Sequence, residues 1–192
     1  MIAIIDYNAG NISSVQNALN RLGYASIITR DHDQIRKAEK VILPGVGEAS
    51  TAMSYLKKYK LDTLIKELKQ PFLGICLGMQ LMCLASEEGE TECLGIFDTQ
   101  VKLFPKDKKV PHMGWNDLTA LKGDLFQKIQ APNDVYFVHS YYAALSKDTC
   151  AECDYITNFS AALAKDNFYA TQFHPEKSAD VGEQILKNFL EL

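Results

Sequence analysis

Cys76 stands between two glycines in the run Gly74-Ile75-Cys76-Leu77-Gly78, which follows a short apolar segment and precedes a helix-like one. A cysteine on a sharp turn from strand to helix is exposed at the carboxyl edge of a sheet, and the adjacent helix N-terminus stabilises a thiolate. Glycines suit the flanking positions because larger side chains would collide there. The pattern predicts a nucleophilic cysteine with the Leu77 N–H as an oxyanion donor. The alternative is a buried thiol that behaves as a small apolar side chain.

A nucleophilic thiolate needs a base and a group that orients the base, and Phe173-His174-Pro175-Glu176 contains both types of residue. Residues two apart in an extended segment project to the same side, so we expect His174 to lie beside Glu176. The carboxylate would fix the tautomer of the imidazole and stabilise its protonated form. Pro175 indicates a strand end, the edge at which Cys76 is expected. A surface histidine beside a solvated glutamate is the alternative for each residue alone.

The loop Pro44-Gly45-Val46-Gly47 follows a third apolar segment, and we expect it at the same edge of the sheet. Its two glycines would let the backbone approach a ligand and turn an N–H group toward it. The loop is therefore a candidate source of a second oxyanion donor. An ordinary strand-to-helix turn has the same composition and is the alternative.

Apolar segments alternate with helix-like segments in the first half of the chain. Strands are predicted at residues 2–6, 25–28, 41–43 and 72–75, and helices at 12–22, 53–56, 61–68 and 77–85. Asn11 is well placed as the N-cap of the first helix. Because the strands are apolar throughout rather than alternating, they are typical of a parallel sheet with helices on both faces.

The second half is richer in strand-forming residues. Strands are predicted at residues 99–104, 135–143, 155–159, 161–164 and 168–173, followed by a closing helix that contains Val181, Ile185 and Phe189. With no linker and no internal repeat, we expect a single domain over residues 1–192. The expected fold is a three-layer α/β fold: a mainly parallel central sheet, helices on both faces, and an antiparallel extension.

Composition excludes several classes of function. The 192 residues carry a formal net charge of −4, which argues against a nucleic-acid-binding surface, and the lysine clusters at 57–60 and 106–109 are interpreted as solvated. No basic leader and no run of 18 apolar residues occurs, so we expect neither secretion nor a membrane span. Five cysteines indicate reduced thiols in the cytoplasm. Cys150 and Cys153 form a C-x-x-C without further ligand pairs, so we expect no metal and no cofactor.

Taken together, the two catalytic motifs resemble those of the class I (triad-type) glutamine amidotransferases, and the match runs the length of the chain. Three further blocks resemble specifically the glutaminase subunits of imidazole glycerol phosphate synthases. These blocks are IDYNAGN at residues 5–11, PHMGWN at 111–116 and FVHSYY at 137–142. The triad is shared by the whole superfamily, whereas the block at 111–116 is far more restrictive.

The resemblance implies a flavodoxin-like fold and the hydrolysis of L-glutamine. Cys76 would attack the side-chain carboxamide, form a thioester and release ammonia, while His174, oriented by Glu176, moves the protons. The N–H groups of Val46 and Leu77 would form the oxyanion hole. The positions that match the family's glutamine-holding residues are Gly45, Gly47, Gln80, Ser140 and Tyr141.

The resemblance also implies a partner, because in this family the ammonia crosses into a (βα)8-barrel synthase subunit of a heterodimer. It joins an aminated ribonucleotide there to give imidazole glycerol phosphate, and the glutaminase is nearly silent alone. The positions that match the face toward the partner are Asn11, Trp115, Asn116, Tyr136 and Lys177. The alternatives are a helix cap for Asn11 and core packing for Trp115 and Tyr136.

Three other functions remain open from the sequence. The same glutaminase could supply a different synthase, such as one that makes anthranilate or an aminated surface sugar. The chain could be a non-enzymatic assembly subunit with a vestigial triad. It could also be a stand-alone cysteine peptidase or γ-glutamyl hydrolase of similar fold.

Overall fold

The computed structural model describes residues 1–7, 10–107 and 109–192. The helices are α1 (Ile12–Arg21), α2 (His32–Lys37), α3 (Ala49–Lys58), α4 (Leu61–Glu67), α5 (Leu77–Leu81) and α6 (Ala179–Glu191). The strands are β1 (Ile2–Ile5), β2 (Ser26–Thr29), β3 (Lys40–Leu43), β4 (Phe72–Ile75), β5 (Ala85–Ser86), β6 (Thr91–Glu92), β7 (Gln100–Leu103), β8 (His112–Asn116), β9 (Val135–His139), β10 (Tyr141–Ala143), β11 (Thr149–Tyr155), β12 (Thr157–Lys165) and β13 (Phe168–Thr171). Asn8 and Ala9 of the first block, and Lys108 of the second lysine cluster, lie outside the described residues.

A seven-stranded sheet in the order β11-β12-β13-β4-β3-β1-β2 forms the centre of the fold. The five strands from β13 to β2 are parallel, whereas β11 and β12 are antiparallel to their neighbours. The predicted mainly parallel sheet with an antiparallel extension is therefore confirmed. In β1, β3 and β4 nearly every residue is buried, as expected for strands covered on both faces.

Helices cover both faces of this sheet, and the side chains of β1 show how. Ala3 and Ile5 belong to the core beneath α3, α4 and α5, whereas Ile2 and Ile4 belong to the core that contains residues of α1 and α6. Successive side chains of a strand point to opposite faces, so one short apolar strand serves two cores. Burying each such side chain contributes about 1.5–3 kcal/mol before the entropy cost of ordering it.

The second half departs from the sequence prediction in three places. The strand predicted at residues 155–159 is wrong, because β11 ends at Tyr155 and a turn at Ile156, with φ 64°, reverses the chain into β12. The single strand predicted at residues 135–143 is divided into β9 and β10, which belong to different sheets. β8 was not predicted as a strand at all. It pairs with β9, and a small sheet of β10, β7, β5 and β6 lies apart from the central one.

One helix boundary also differs from the prediction. α5 ends at Leu81 and not at residue 85, because residue 85 is the first residue of β5. The C-x-x-C pair of Cys150 and Cys153 lies inside β11, and both thiols are buried. Burial raises the pKa of Cys150 and of Cys153 to about 12, which makes them unreactive core thiols.

All five cysteines are free, and no group of three or more His, Cys, Asp or Glu side chains suited to a metal ion occurs among the residues described. Over the same part of the chain, no helix has the length and apolar character needed to cross a bilayer.

The topology fixes where the catalytic motifs meet. Ile75 of β4 lies opposite Thr171 of β13, and Leu43 of β3 lies opposite Gly74. Since these strands run parallel, the residues that follow each of them emerge at one edge of the sheet. Cys76, the segment before His174 and the loop 44–47 are therefore neighbours.

Candidate active site

Cys76 occupies a strained turn between β4 and α5. Its φ and ψ are 54° and −109°, in a region that non-glycine residues seldom adopt. Holding a residue in this conformation costs about 1–3 kcal/mol. A Cβ added to Gly78 would overlap the Leu43 carbonyl oxygen, and one added to Gly74 would lie 2.9 Å from the Gly78 carbonyl group. The glycines on both sides are thus required by backbone contacts.

His174 and Glu176 form a fully buried pair. Nδ1 of His174 lies 2.8 Å from Oε1 of Glu176, and neither side chain has exposed surface. Glu176 lies in a 3₁₀ turn over Pro175–Lys177, so the two side chains do not meet as neighbours in an extended segment, as the sequence suggested. The short turn brings them together instead, and the contact fixes the proton of a neutral His174 on Nδ1 and leaves Nε2 for chemistry.

The electrostatics of this pair favour a protonated imidazole. Burial by itself lowers the pKa of His174, but the nearby Cys76 sulfur and the hydrogen-bonded Glu176 carboxylate outweigh burial and raise the pKa to about 10. His174 is therefore able to hold a proton beside the Cys76 sulfur at neutral pH, as the histidine base of a cysteine nucleophile must.

Asn11 contributes to the same pair. Its side chain donates from Nδ2 to Oε1 of Glu176 at 3.2 Å, across 165 residues of chain. Asn11 is the N-cap residue of α1, as predicted, but its side chain makes no capping bond to the helix. A buried carboxylate needs donors, and it draws the amide away from the helix end.

Gln172 is a polar neighbour of Cys76 that the sequence analysis missed. It is fully buried, and its Nε2 lies 3.7 Å from the Cys76 sulfur. Its Oε1 accepts a hydrogen bond of 2.9 Å from Nε2 of Gln80, which also donates to the Tyr141 carbonyl oxygen at 2.9 Å. Its position just after β13, two residues before His174, is the signal that could have identified it.

A cavity of about 340 Å³ opens beside the Cys76 sulfur. Besides Cys76, six of the predicted site residues line this cavity: Val46, Gly47, Leu77, Gln80, Ser140 and Tyr141. Glu88, which the sequence analysis also missed, adds a half-buried carboxylate that is able to pair with an ammonium group. The cavity therefore joins a thiol nucleophile with polar groups suited to an amino-acid substrate.

Gly45 lies behind this cavity and not in its wall. Its carbonyl oxygen accepts a hydrogen bond from the Leu77 N–H at 3.3 Å, and a Cβ added there would overlap the Tyr7 hydroxyl. Tyr7 in turn donates to the Pro44 carbonyl oxygen at 2.5 Å, which anchors the loop. The Leu77 N–H, expected to face an oxyanion, is therefore engaged by the loop in this structure.

Of the five residues predicted to face a partner, four are exposed or half-buried and one, Asn11, is buried. Trp115 is 54% exposed and contacts the half-buried Tyr136 edge-on at 6.0 Å between ring centres. The core-packing alternative for Trp115 is therefore wrong. Asn116 is half-buried and Lys177 is exposed, whereas Asn11 is buried against Glu176.

The family model described as "Glutamine amidotransferase class-I" matches residues 3–192. The imidazole glycerol phosphate synthase subunit HisH of Bacteroides fragilis strain YCH46 is 62% identical over 194 residues, covering 100% of this chain and 99% of that protein. The subunit of the same name from Bacteroides thetaiotaomicron is 58% identical over the same shares.

Solved structures give the same fold. One described as a glutamine amidotransferase has a TM-score of 0.77 at 18% identity, over 100% of this chain and 98% of that one. The full-length family match and the high identity to the HisH subunits lead to one conclusion: the chain belongs to the class I glutamine amidotransferase family, among the HisH subunits of imidazole glycerol phosphate synthase.

Proposed function

We propose that this chain is the glutaminase subunit of an imidazole glycerol phosphate synthase and that residues 1–192 act as a single glutamine amidotransferase domain. The observation that carries the proposal is the buried pair of His174 and Glu176, with Nδ1 and Oε1 2.8 Å apart, at the sheet edge where Cys76 meets a polar cavity. The 62% identity to a HisH subunit supports the choice of synthase.

Each member of the triad has a step in the proposed reaction. His174 takes the thiol proton, and the Cys76 sulfur attacks the carboxamide carbon of glutamine. His174 then protonates the departing nitrogen, so ammonia leaves and a thioester to Cys76 remains. Water, deprotonated by His174, hydrolyses the thioester to glutamate and frees the thiol, while Glu176 stabilises the protonated imidazole in every step.

The oxyanion of both tetrahedral intermediates would be held by the N–H groups of Val46 and Leu77. Because Leu77 donates to the Gly45 carbonyl oxygen, the loop 44–47 must release that bond before the hole is complete. This arrangement supports the expectation that the chain alone is nearly silent and becomes active with its partner.

The partner in this proposal is a (βα)8-barrel synthase subunit that forms a heterodimer with this chain and consumes the ammonia. The exposed Trp115, with Tyr136, Asn116 and Lys177, is the proposed contact face. Five free cysteines agree with the reducing cytoplasm as the proposed location.

The test compares Cys76→Ala with the matched control Cys83→Ala in the assembled complex. Cys83 is a buried thiol of the core, and burial raises its pKa far above the ordinary range. We expect Cys76→Ala to lose glutamine-dependent synthesis and keep synthesis from ammonium salts, whereas Cys83→Ala keeps both. A glutamine-analogue electrophile should modify Cys76 alone in the wild-type complex.

Other outcomes would favour the remaining functions. Glutaminase activity without any partner, or cleavage of γ-glutamyl peptides, would support a stand-alone hydrolase. An unmodified Cys76 in the active assembly would support a vestigial triad. Mass spectrometric identification of the subunit that copurifies from the source cells distinguishes this synthase from one that makes anthranilate or an aminated sugar.

A further inference from the structure

Two buried histidines lie beside the cavity and take no part in the triad. His112 of β8 and His139 of β9 face each other across the antiparallel pair, and Nδ1 of His112 lies 3.0 Å from Nε2 of His139. Nδ1 of His139 lies 2.7 Å from the Tyr141 carbonyl oxygen. His139 also lines the cavity, whereas His112 does not. The pair, called here the histidine relay, thus ends at a proposed glutamine-holding residue.

Both rings are neutral at physiological pH. Burial lowers the pKa of His112 to about 4. Burial also lowers the pKa of His139 to about 3, although the hydrogen bond with the Tyr141 carbonyl opposes this effect. Each ring therefore carries one proton, which resides on only one of its two nitrogens.

The carbonyl at one end of the relay fixes the position of both protons. A carbonyl oxygen only accepts, so Nδ1 of His139 carries the proton and Nε2 is bare. The bare nitrogen only accepts, so Nδ1 of His112 donates to it. Both rings are thus held as Nδ1–H tautomers, with all hydrogen bonds pointing toward the cavity.

Asn116 fits the other end of this directed chain. Nε2 of His112 is bare and lies 3.4 Å from Nδ2 of Asn116. The amide of Asn116 is oriented independently, because Nδ2 donates to the Asp154 carbonyl oxygen and Oδ1 accepts from the Asp117 N–H. Its donor therefore faces the histidine that needs one.

At the cavity, the Tyr141 carbonyl oxygen accepts a second bond from Nε2 of Gln80. Nε2 of Gln80 also donates to Oε1 of Gln172, so both of its protons are used and the orientation of the amide is set. The position of one carbonyl group thus decides how Gln80 is presented to a substrate.

We propose that His112 and His139 are positioning residues for the glutamine pocket: their directed hydrogen bonds hold the Tyr141 carbonyl and, through it, the Gln80 amide. The inference rests on the proposed glutaminase function. Its competitor is a packing role, because His112 also stacks on Tyr155, with ring centres 4.0 Å apart, and on Phe137 at 4.7 Å.

Two variants of His112 separate these roles. His112→Phe keeps a stacking ring and removes the donor to His139. His112→Asn removes the ring and keeps an N–H donor near the position of Nδ1. Positioning predicts that His112→Asn stays closer to wild type in glutamine binding, whereas packing predicts the opposite order.

The first measurement is steady-state glutaminase activity in the complex with the synthase subunit. We expect His112→Phe to raise the KM for glutamine about fivefold to tenfold, the range of one lost hydrogen bond, with kcat within about twofold. His112→Asn should recover most of that KM change, and ammonium-dependent synthesis should be unaffected in both. An unchanged KM in His112→Phe, or a larger change in His112→Asn, overturns the proposal.

The second measurement does not depend on activity. Long-range ¹⁵N–¹H spectra of the full chain should show Nδ1–H tautomers for both His112 and His139 at neutral pH, and the Gln80 side-chain amide signal should move in His112→Phe but not in His112→Asn. A proton on Nε2 of either ring overturns the relay. If the wild-type complex fails to hydrolyse glutamine, the proposed function falls and these spectra still decide the relay.

Discussion

Replacing Glu176 by Gln removes the charge that faces the His174 imidazole and keeps an accepting oxygen of the same shape. The two side chains are fully buried with Nδ1 and Oε1 2.8 Å apart, so salt screens the pair little. A hydrogen bond to a charged group contributes about 1.5–3 kcal/mol and one between neutral groups about 0.5–1.5 kcal/mol. The midpoints of these two ranges differ by about 1.3 kcal/mol, so we expect the pKa of His174 to fall by about one unit.

The sign of the stability effect follows from the direction of the pKa. His174 has a pKa of about 10 in the fold, above the unfolded value of about 6.5. Its stabilisation is therefore complete below about pH 6.5 and is lost as the pH rises through about 10. In Glu176→Gln the pKa of His174 is lower, so the stabilisation that the protonated imidazole provides is lost completely at a lower pH. The free energy of unfolding should differ from wild type by about 1–2 kcal/mol near neutrality and converge with it at high pH.

Urea unfolding at several pH values between about 6 and about 10 measures this difference. Glu183→Gln is the matched control, because Glu183 is an exposed carboxylate paired with Lys187 on α6 and should change stability little at any pH. The imidazole signals of His174 report its pKa directly. A difference between wild type and Glu176→Gln that grows with pH, or an unchanged pKa of His174, would refute the account of the pair.

Two further predictions concern the turn and the exposed face. Gly78→Ala should lower the free energy of unfolding by about 3 kcal/mol, the upper end of the usual cost of overpacking, because its Cβ would overlap the Leu43 carbonyl oxygen. Gly23→Ala, at φ +83° with open space around the Cβ, should cost only about 1 kcal/mol in the same urea titration, and equal losses would contradict the crowding. Trp115→Ala should weaken binding of the synthase subunit at least about tenfold by calorimetry without changing the unfolding midpoint. Unchanged affinity would place the contact face elsewhere.

The parallel half of the fold was predictable because its strands carry their own signal. Runs such as residues 2–5 and 72–75 are buried on both faces, so they are apolar throughout and need no partner to be recognised. The turn glycine Gly74 was predictable for a similar reason, since a Cβ there would meet the carbonyl group of Gly78, four residues further along the chain. Local patterns are sufficient wherever local contacts decide the conformation.

The antiparallel half was harder because its boundaries depend on long-range pairing. Ile156 adopts φ 64° between β11 and β12, although a β-branched residue strongly favours extended backbone. β8 contains Gly114 at φ 135° and alternates exposed with less exposed side chains, so it lacks a continuous apolar run. Its pairing with β9 determines its structure, and that pairing is invisible to local patterns.

The contacts of the polar residues in the site also depend on distant partners that local patterns do not show. Asn11 occupies the N-cap position of α1, yet its side-chain amide binds Glu176, because a carboxyl group buried in the interior must find its donors within the protein. Gln172 lies against the Cys76 sulfur for a related reason, since a buried amide must use its donors within the core. A buried catalytic pair therefore requires further polar residues elsewhere in the chain, and unassigned Asn, Gln and His in the motif blocks are the first candidates. That requirement identifies Asn11 and Gln172, and it leads equally to the His112 and His139 relay.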